Sequence, residues 1–156
     1  MKINYSIKLL GLKEFEIYRN EIYSMFKENT QGHENKIIIS DEYIKTKFYE
    51  LENYFKSNNL IFLGCEFENN IIGFLWAYER IFIEEKRIYV NSFIIEEKYR
   101  SYGIGSALLK ILEEIAKQRN IKVIDVSTST FKENTIEFYK KNDFIPERIQ
   151  LRKEIK

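Results

Sequence analysis

Two glycines and an arginine in the second half of the chain are the residues best spaced for chemistry. They lie in the run Ile94-Ile95-Glu96-Glu97-Lys98-Tyr99-Arg100-Ser101-Tyr102-Gly103-Ile104-Gly105-Ser106-Ala107-Leu108. A helix start leaves backbone N–H groups unpaired, and glycines there remove the Cβ atoms that would keep a ligand away. The helix dipole favours negative charge at the same place, so the run could hold a phosphate. Arg100 adds a planar guanidinium beside it. Taken alone, Gly-x-Gly is weak evidence, and a tight loop entering a helix is the simpler reading of it. Two familiar phosphate loops do not fit. A dinucleotide fingerprint needs a small residue where Leu108 stands and glycines immediately after the strand. A Walker A loop needs Gly-Lys-Ser/Thr, which this segment lacks.

Composition limits the context of that loop. The chain has 156 residues, 44% hydrophobic and 31% charged, the balance of a folded globular protein, and its length suits a single domain over 1–156. Twenty-five Lys and Arg stand against 24 Asp and Glu, a net charge of +1. No global field therefore recommends nucleic acid or an anionic membrane as partner, and any anion must be held locally. The longest uncharged apolar stretch, around 71–78, falls far short of the roughly 20 residues of a membrane span. Lys8 and Lys13 interrupt the apolar run that a signal peptide would need. The lone Cys65 excludes an intramolecular disulfide and a thiolate zinc cluster, reads as a core residue, and suits a reducing, cytoplasmic setting. His33, between Gly32 and Glu34, has no second ligand at metal spacing and reads as a surface residue or an acceptor-side contact, so no metal is expected.

The elements that must position the loop follow from the period of the apolar residues. Residues 2–9 alternate as a half-buried strand, then Phe15, Tyr18, Ile22 and Phe26 recur at helical spacing. After a polar loop, Gln31 to Lys36, Ser40 is the expected N-cap of a second helix, with Asp41 and Glu42 in its first turn and Ile44, Phe48, Leu51 and Phe55 as its buried stripe. Strands at about 60–67, 71–82 and 87–95 form an antiparallel meander, with turns at Asn69-Asn70 and Glu84-Glu85-Lys86. A helix from Ile104 and a short strand, Ile121 to Val126, complete a βαβ unit and hence one parallel pair. A further helix over roughly Asn134 to Asn142 leads to a strand-like tail from Phe144 to about Ile155. The fold class is α/β with a mixed sheet, in the order β-α-α-β-β-β-α-β-α-β.

Arg100-x-x-Gly103-x-Gly105-Ser106 after a strand ending Ile94-Ile95, then a helix, a strand and Asn134-x-x-x-Phe138-Tyr139-x-x-x-Asp143-Phe144, resembles the GNAT superfamily of acyl-CoA-dependent N-acetyltransferases. The resemblance covers nearly the whole chain. It implies a splayed sheet whose cleft takes acetyl-CoA, with no metal, and transfer of acetyl to a primary amine of a small molecule by direct attack in a ternary complex. It further implies that N–H groups of Ser101, Tyr102, Gly103, Ile104, Gly105 and Ser106 receive the pyrophosphate beside Arg100, and that backbone near Phe93, Ile94 and Ile95 pairs with the pantetheine arm. Asn134 would hydrogen-bond the cofactor, and Tyr139 would serve as the acid at the thioester sulfur, its phenol returning a proton to the departing thiolate.

The match has departures. Glu97 stands where the family often has Pro, Ser101 where Gly is common, and Asp143 where Gly usually precedes Phe. Asp143 implies a weaker helix stop without loss of the site. No carboxylate occupies Asn91-Ser92, where many members carry a base, leaving a water relay or Glu66, Glu68 or Glu79. Two alternatives remain: a protein or peptide N-acetyltransferase, and a non-catalytic acyl-CoA-binding regulatory module; on any of these readings the chain is expected as a monomer or homodimer.

Overall fold

The computed structural model describes residues 2–32 and 37–156, so His33 and most of the polar loop before Ser40 lie outside the described residues. The chain divides into two compact units, Met1–Val126 and Ser127–Lys156. The first holds β1 (Ser6–Leu9), α1 (Leu12–Ile17), α2 (Arg19–Gln31), α3 (Asp41–Tyr54), β2 (Leu60–Phe67), β3 (Asn70–Phe82), β4 (Glu85–Ile95), a 3-10 turn (Glu97–Tyr99), α4 (Ile104–Gln118) and β5 (Ile124–Val126). The second holds α5 (Glu133–Lys141).

Three helices, not two, precede β2. Tyr18, at φ −99° and ψ 11°, closes α1 and opens α2, and its hydroxyl donates to Glu66 at 2.6 Å. The apolar stripe is thus broken by a residue tethered to the sheet. Ser40 caps α3 as expected, its Oγ accepting from the Tyr43 N–H at 3.2 Å.

The meander is joined by two-residue turns, Glu68-Asn69 (φ 50° and 62°) and Ile83-Glu84 (φ 44° and 66°). Positive φ at both central positions is what a right-twisted hairpin favours. Each turn starts one residue before the polar run that suggested it. The strand order is β1-β2-β3-β4-β5, antiparallel except for β4 and β5, which α4 connects as a crossover.

Alternation along the strands divides the core. Phe62, Phe74, Trp76 and Ile94 meet Phe15, Ile22, Phe26, Ile44, Phe48 and Leu51 of α1 to α3 in one cluster. Leu75, Ala77, Ile88 and Val90 are buried on the opposite face, where α4 packs across β2, β3 and β4 with Ile104, Leu108 and Leu112 inward. Each such side chain contributes about 1.5–3 kcal/mol on burial. Cys65 is fully buried, and burial pushes its thiol up to about 12, as befits a core residue.

Two strands differ from expectation. β5 begins at Ile124, because Ile121 is used to stop α4. Asn120 takes φ 54°, the Ile121 N–H reaches the Ala116 carbonyl at 2.8 Å, and the Asn120 N–H reaches Lys117 at 3.0 Å, a Schellman closure. The tail after Phe144 is not a strand. Its alternating Ile145, Ile149, Leu151 and Ile155 are 81–88% exposed, and alternation makes a strand only where a neighbour completes the ladder. No helix among the described residues is long and apolar enough to cross a membrane.

Candidate active site

The parallel pairing of β4 with β5 is short. It comprises Ile88↔Ile124, Tyr89↔Asp125 and Val90↔Val126, whereas β4 runs on to Ile95 against β3. The two strands therefore part after Val90. At that point the register with β3 moves from Ala77↔Val90 to Trp76↔Ser92, making Asn91 the extra residue of a bulge.

The bulge also changes which backbone groups face outward. Before it, the Ile88 N–H points to the β5 side and reaches the Val123 carbonyl at 3.0 Å. After it, the Glu96 N–H reaches Ile72 of β3 at 3.0 Å. Since backbone direction alternates in an antiparallel ladder, Ile94 pairs toward Phe74 while Phe93 and Ile95 turn their backbone to the far edge. Ile94 sends its side chain into the helical core.

From Ile95 the chain makes its 3-10 turn, with the Tyr99 N–H on Glu96 at 2.9 Å and the Arg100 N–H on Glu97 at 3.1 Å. The Tyr99 ring meets Phe67 edge-on at 5.8 Å, which seats the turn against β2. Arg100 Nε donates to the Ile95 carbonyl at 3.0 Å. Ser101 (φ 70°) and Gly103 (φ 79°) are both left-handed and flank Tyr102. The ladder of α4 opens with Ala107 N–H to Gly103 O at 3.0 Å, so the N–H groups of Ile104, Gly105 and Ser106 stand ahead of it. Ile104 is buried, fixing this start, and no acidic side chain occupies the first turn. Ser101, Tyr102, Gly103, Ile104, Gly105 and Ser106 thus form one continuous backbone segment into the start of α4, with Arg100 ahead of it bonded to the end of β4.

Asn134 and Tyr139 belong to the second unit, on α5. Asn134 is exposed in the first turn and Tyr139 is buried. Tyr139 also anchors the helix stop. Its carbonyl accepts from the Phe144 N–H at 3.0 Å, the Asp143 N–H reaches Lys140 at 3.1 Å, and the Tyr139 and Phe144 rings meet edge-on at 5.2 Å. Asp143 takes φ 65°, so the stop forms in full around a non-glycine residue.

The carboxylates suggested by sequence fall in different surroundings. Glu66 accepts from Tyr18 and, at 2.9 Å, from Lys8, and these hydrogen bonds hold it below the usual carboxylate range. Glu68 sits in the β2–β3 turn. Burial opposes ionisation of Glu79, but Lys86 at 2.6 Å and Arg119 at 2.9 Å outweigh it and lower the carboxyl. One carboxylate went unnoticed in the sequence: Asp125, on β5 opposite Tyr89, bonded to Arg80 at 2.5 Å and to Arg87 at 3.4 Å. A lone acid in the apolar run 121–126 was the signal for it.

The sequence profile of the acetyltransferase (GNAT) family matches residues 19–144, most of the chain. The chain belongs to the GNAT acetyltransferase family. Solved structures agree with the GNAT fold. A putative acetyl transferase from Pyrococcus furiosus superposes with a TM-score of 0.79 at 24% identity, covering 97% of this chain and 100% of that one. A predicted acetyltransferase with acetyl-CoA from Clostridium acetobutylicum gives 0.74 at 21% identity, over 97% and 96%. An aminoglycoside acetyltransferase from an uncultured soil metagenomic sample gives 0.73 at 21%, over 99% and 100%. A search of curated proteins finds no match. In this chain the matching fold is a mixed five-stranded sheet with one parallel pair.

Proposed function

We propose that this protein is an acetyl-CoA-dependent N-acetyltransferase acting on a primary amine of a small molecule by direct attack in a ternary complex. The observation that carries the reading is the left-handed pair Ser101 and Gly103 opening α4 beside a β4 edge that β5 has already left. The residues present fit the cofactor. N–H groups from Ser101 to Ser106 would hold the pyrophosphate oxygens, with the Nη edge of Arg100 beside them, and the backbone of Phe93 and Ile95 would pair with an extended amide arm. Bound there, acetyl-CoA supplies an activated acyl thioester.

The chain's own groups do the rest. A backbone N–H at the bulged β4 edge would polarise the acyl carbonyl, as preorganised donors do in other acyl transfers. The Tyr139 phenol is the proposed acid, since ordinary thiols ionise near roughly 8.5 and phenols near roughly 10, which lets a phenol stabilise and protonate a leaving thiolate. Asn134 is proposed to hydrogen-bond the cofactor from the first turn of α5. We treat 1–156 as one catalytic domain, because the family match runs from the first unit into the second. A small-molecule acceptor draws support from the aminoglycoside acetyltransferase of like fold, and the single buried Cys65 suits a cytoplasmic setting.

The test is thiol release from acetyl-CoA with a panel of amines, products identified by mass, for the wild type and Tyr139→Phe. Amine-dependent acetylation is expected, with the variant losing about tenfold to a hundredfold in kcat at little change in acetyl-CoA affinity. Cofactor binding without transfer to any amine would favour the regulatory-module reading. An unchanged kcat would remove Tyr139 from the acid role.

A further inference from the structure

Acetyl transfer to an amine needs a group that takes the proton of the ammonium form, and neither Asn91 nor Ser92 can do so. From Lys86 to the end of β4 and along 121–126, the two strands that part at the site contain a single acid, Asp125. It pairs with Tyr89, one step before Val90↔Val126, the last pair of the parallel ladder. At about 3.3 Å per residue, this places it one residue short of the point where the strands separate.

Its surroundings resemble a prepared polar site. Tyr78 pairs with Tyr89, and Arg80 with Arg87. The Arg80 guanidinium lies 4.1 Å from the Tyr89 ring centroid, so Tyr78, Arg80, Arg87, Tyr89 and Asp125 share one sheet face. Asp125 Oδ2 accepts from both arginines, at 2.5 Å and 3.4 Å, which fixes the carboxylate plane. Asp125 Oδ1, Arg80 Nε and Trp76 Nε1 are buried with no hydrogen-bond partner. Buried polar atoms are ordinarily satisfied, and Asp125 Oδ1 and Arg80 Nε, on side chains already in contact, call for a ligand that supplies both a donor and an acceptor. Trp76, 3% exposed, is wedged between Tyr54 at 5.2 Å and Tyr78 at 5.9 Å, so its indole N–H has a fixed direction. Glu79 pairs across with Ile88 on the opposite face and is held by Lys86 and Arg119, and Glu85 lies at the far end of β4 on Arg87.

We propose that Asp125 Oδ1 is the proton acceptor for the acceptor amine, an inference that rests on the acetyltransferase reading above. The ammonium nitrogen gives one proton to Asp125, and its freed electron pair forms the N–C bond with the acyl carbon. The C–S bond breaks with its electrons on sulfur, the thiolate takes the second nitrogen proton through the site's acid, and Asp125 releases the first proton to water. Ammonium and thioester thereby become amide, thiol and one proton. Arg80 Nε suits an acceptor that carries a hydroxyl or carbonyl oxygen near its amine.

The test compares the wild type with Asp125→Asn on two acceptors, an alkylamine that is cationic at neutral pH and hydroxylamine, which is already neutral. The variant should lose about a hundredfold in kcat/KM with the alkylamine and only a few-fold with hydroxylamine, at unchanged acetyl-CoA affinity. Equal losses on both, or none on either, would overturn the role, because a purely structural carboxylate does not distinguish the acceptors. Should that variant fold poorly, Asp125→Ala with added formate replaces it, and the proposal requires formate to restore alkylamine transfer; no restoration counts against it. A wild type that transfers acetyl to neither acceptor sinks the enzymatic reading and this role together, whereas wild-type transfer with a non-selective variant sinks only the role.

Discussion

Arg100 Nε donates to the Ile95 carbonyl at 3.0 Å, so the side chain suited to grip an anion also ties the loop back to the end of β4. Arg100→Ala removes both contributions. It should weaken acetyl-CoA binding by about tenfold, the scale of one charge-assisted hydrogen bond. Arg100→Lys should recover little, since an ammonium has no Nε to hold Ile95 while presenting a second donor edge. Titration calorimetry on the two variants checks this.

Gly103 stands at φ 79°, and a Cβ added there meets nothing within 4 Å. The cost of Gly103→Ala is therefore backbone strain alone, about 1–2 kcal/mol, and is not a clash. Urea unfolding should register that loss together with weaker cofactor binding. Ser101→Gly, at φ 70°, should move stability the opposite way.

Asp143 carries a complete helix stop at φ 65°. The expectation of a weakened stop concerns energy, since every hydrogen bond of the motif is present. Asp143→Gly should stabilise the protein by about 1 kcal/mol, raising Tm by about 3 °C. A lower Tm would show that the aspartate side chain contributes more than its backbone strain costs.

Tyr18 and Glu66 make a pH-sensitive tether between the helices and β2. The hydrogen bond raises the Tyr18 phenol to about 12 and lowers the Glu66 carboxyl. A lowered carboxyl stabilises above its unfolded pKa and loses that effect as pH falls through its folded value. A raised phenol stabilises below its unfolded value near 10 and loses the effect as pH climbs through about 12. Tyr18→Phe should therefore be less stable than wild type by about 1 kcal/mol at neutral pH, with the gap narrowing as pH falls below the ordinary carboxylate range and again as it rises above about pH 10. Denaturant melts across that range would contradict the tether if the gap stayed constant.

The sequence made the loop and most elements legible because both depend on local chemistry. Ser40 caps α3 through its own hydroxyl, and the glycine at 103 marks a backbone conformation that a side chain resists. What escaped depends on distant partners. The break at Tyr18 is held by Glu66, 48 positions away. The tail has the alternation of a strand without a neighbour to pair with. Asp125 draws its significance from Arg80 on β3, Tyr89 on β4 and the point where β4 and β5 part, none of which local periodicity encodes. The bulge at Asn91, which turns the backbone of Phe93 and Ile95 away from β3, is likewise a matter of register between strands.

The most direct measurement is calorimetric titration of the wild type and Gly103→Ala with acetyl-CoA at near-physiological salt. Saturable one-to-one binding to the wild type, weakened in the variant, is the predicted result, because backbone N–H groups from Ser101 to Ser106 and one arginine are proposed to hold the anion. Absence of binding to the wild type, or equal affinity in both proteins, would contradict it.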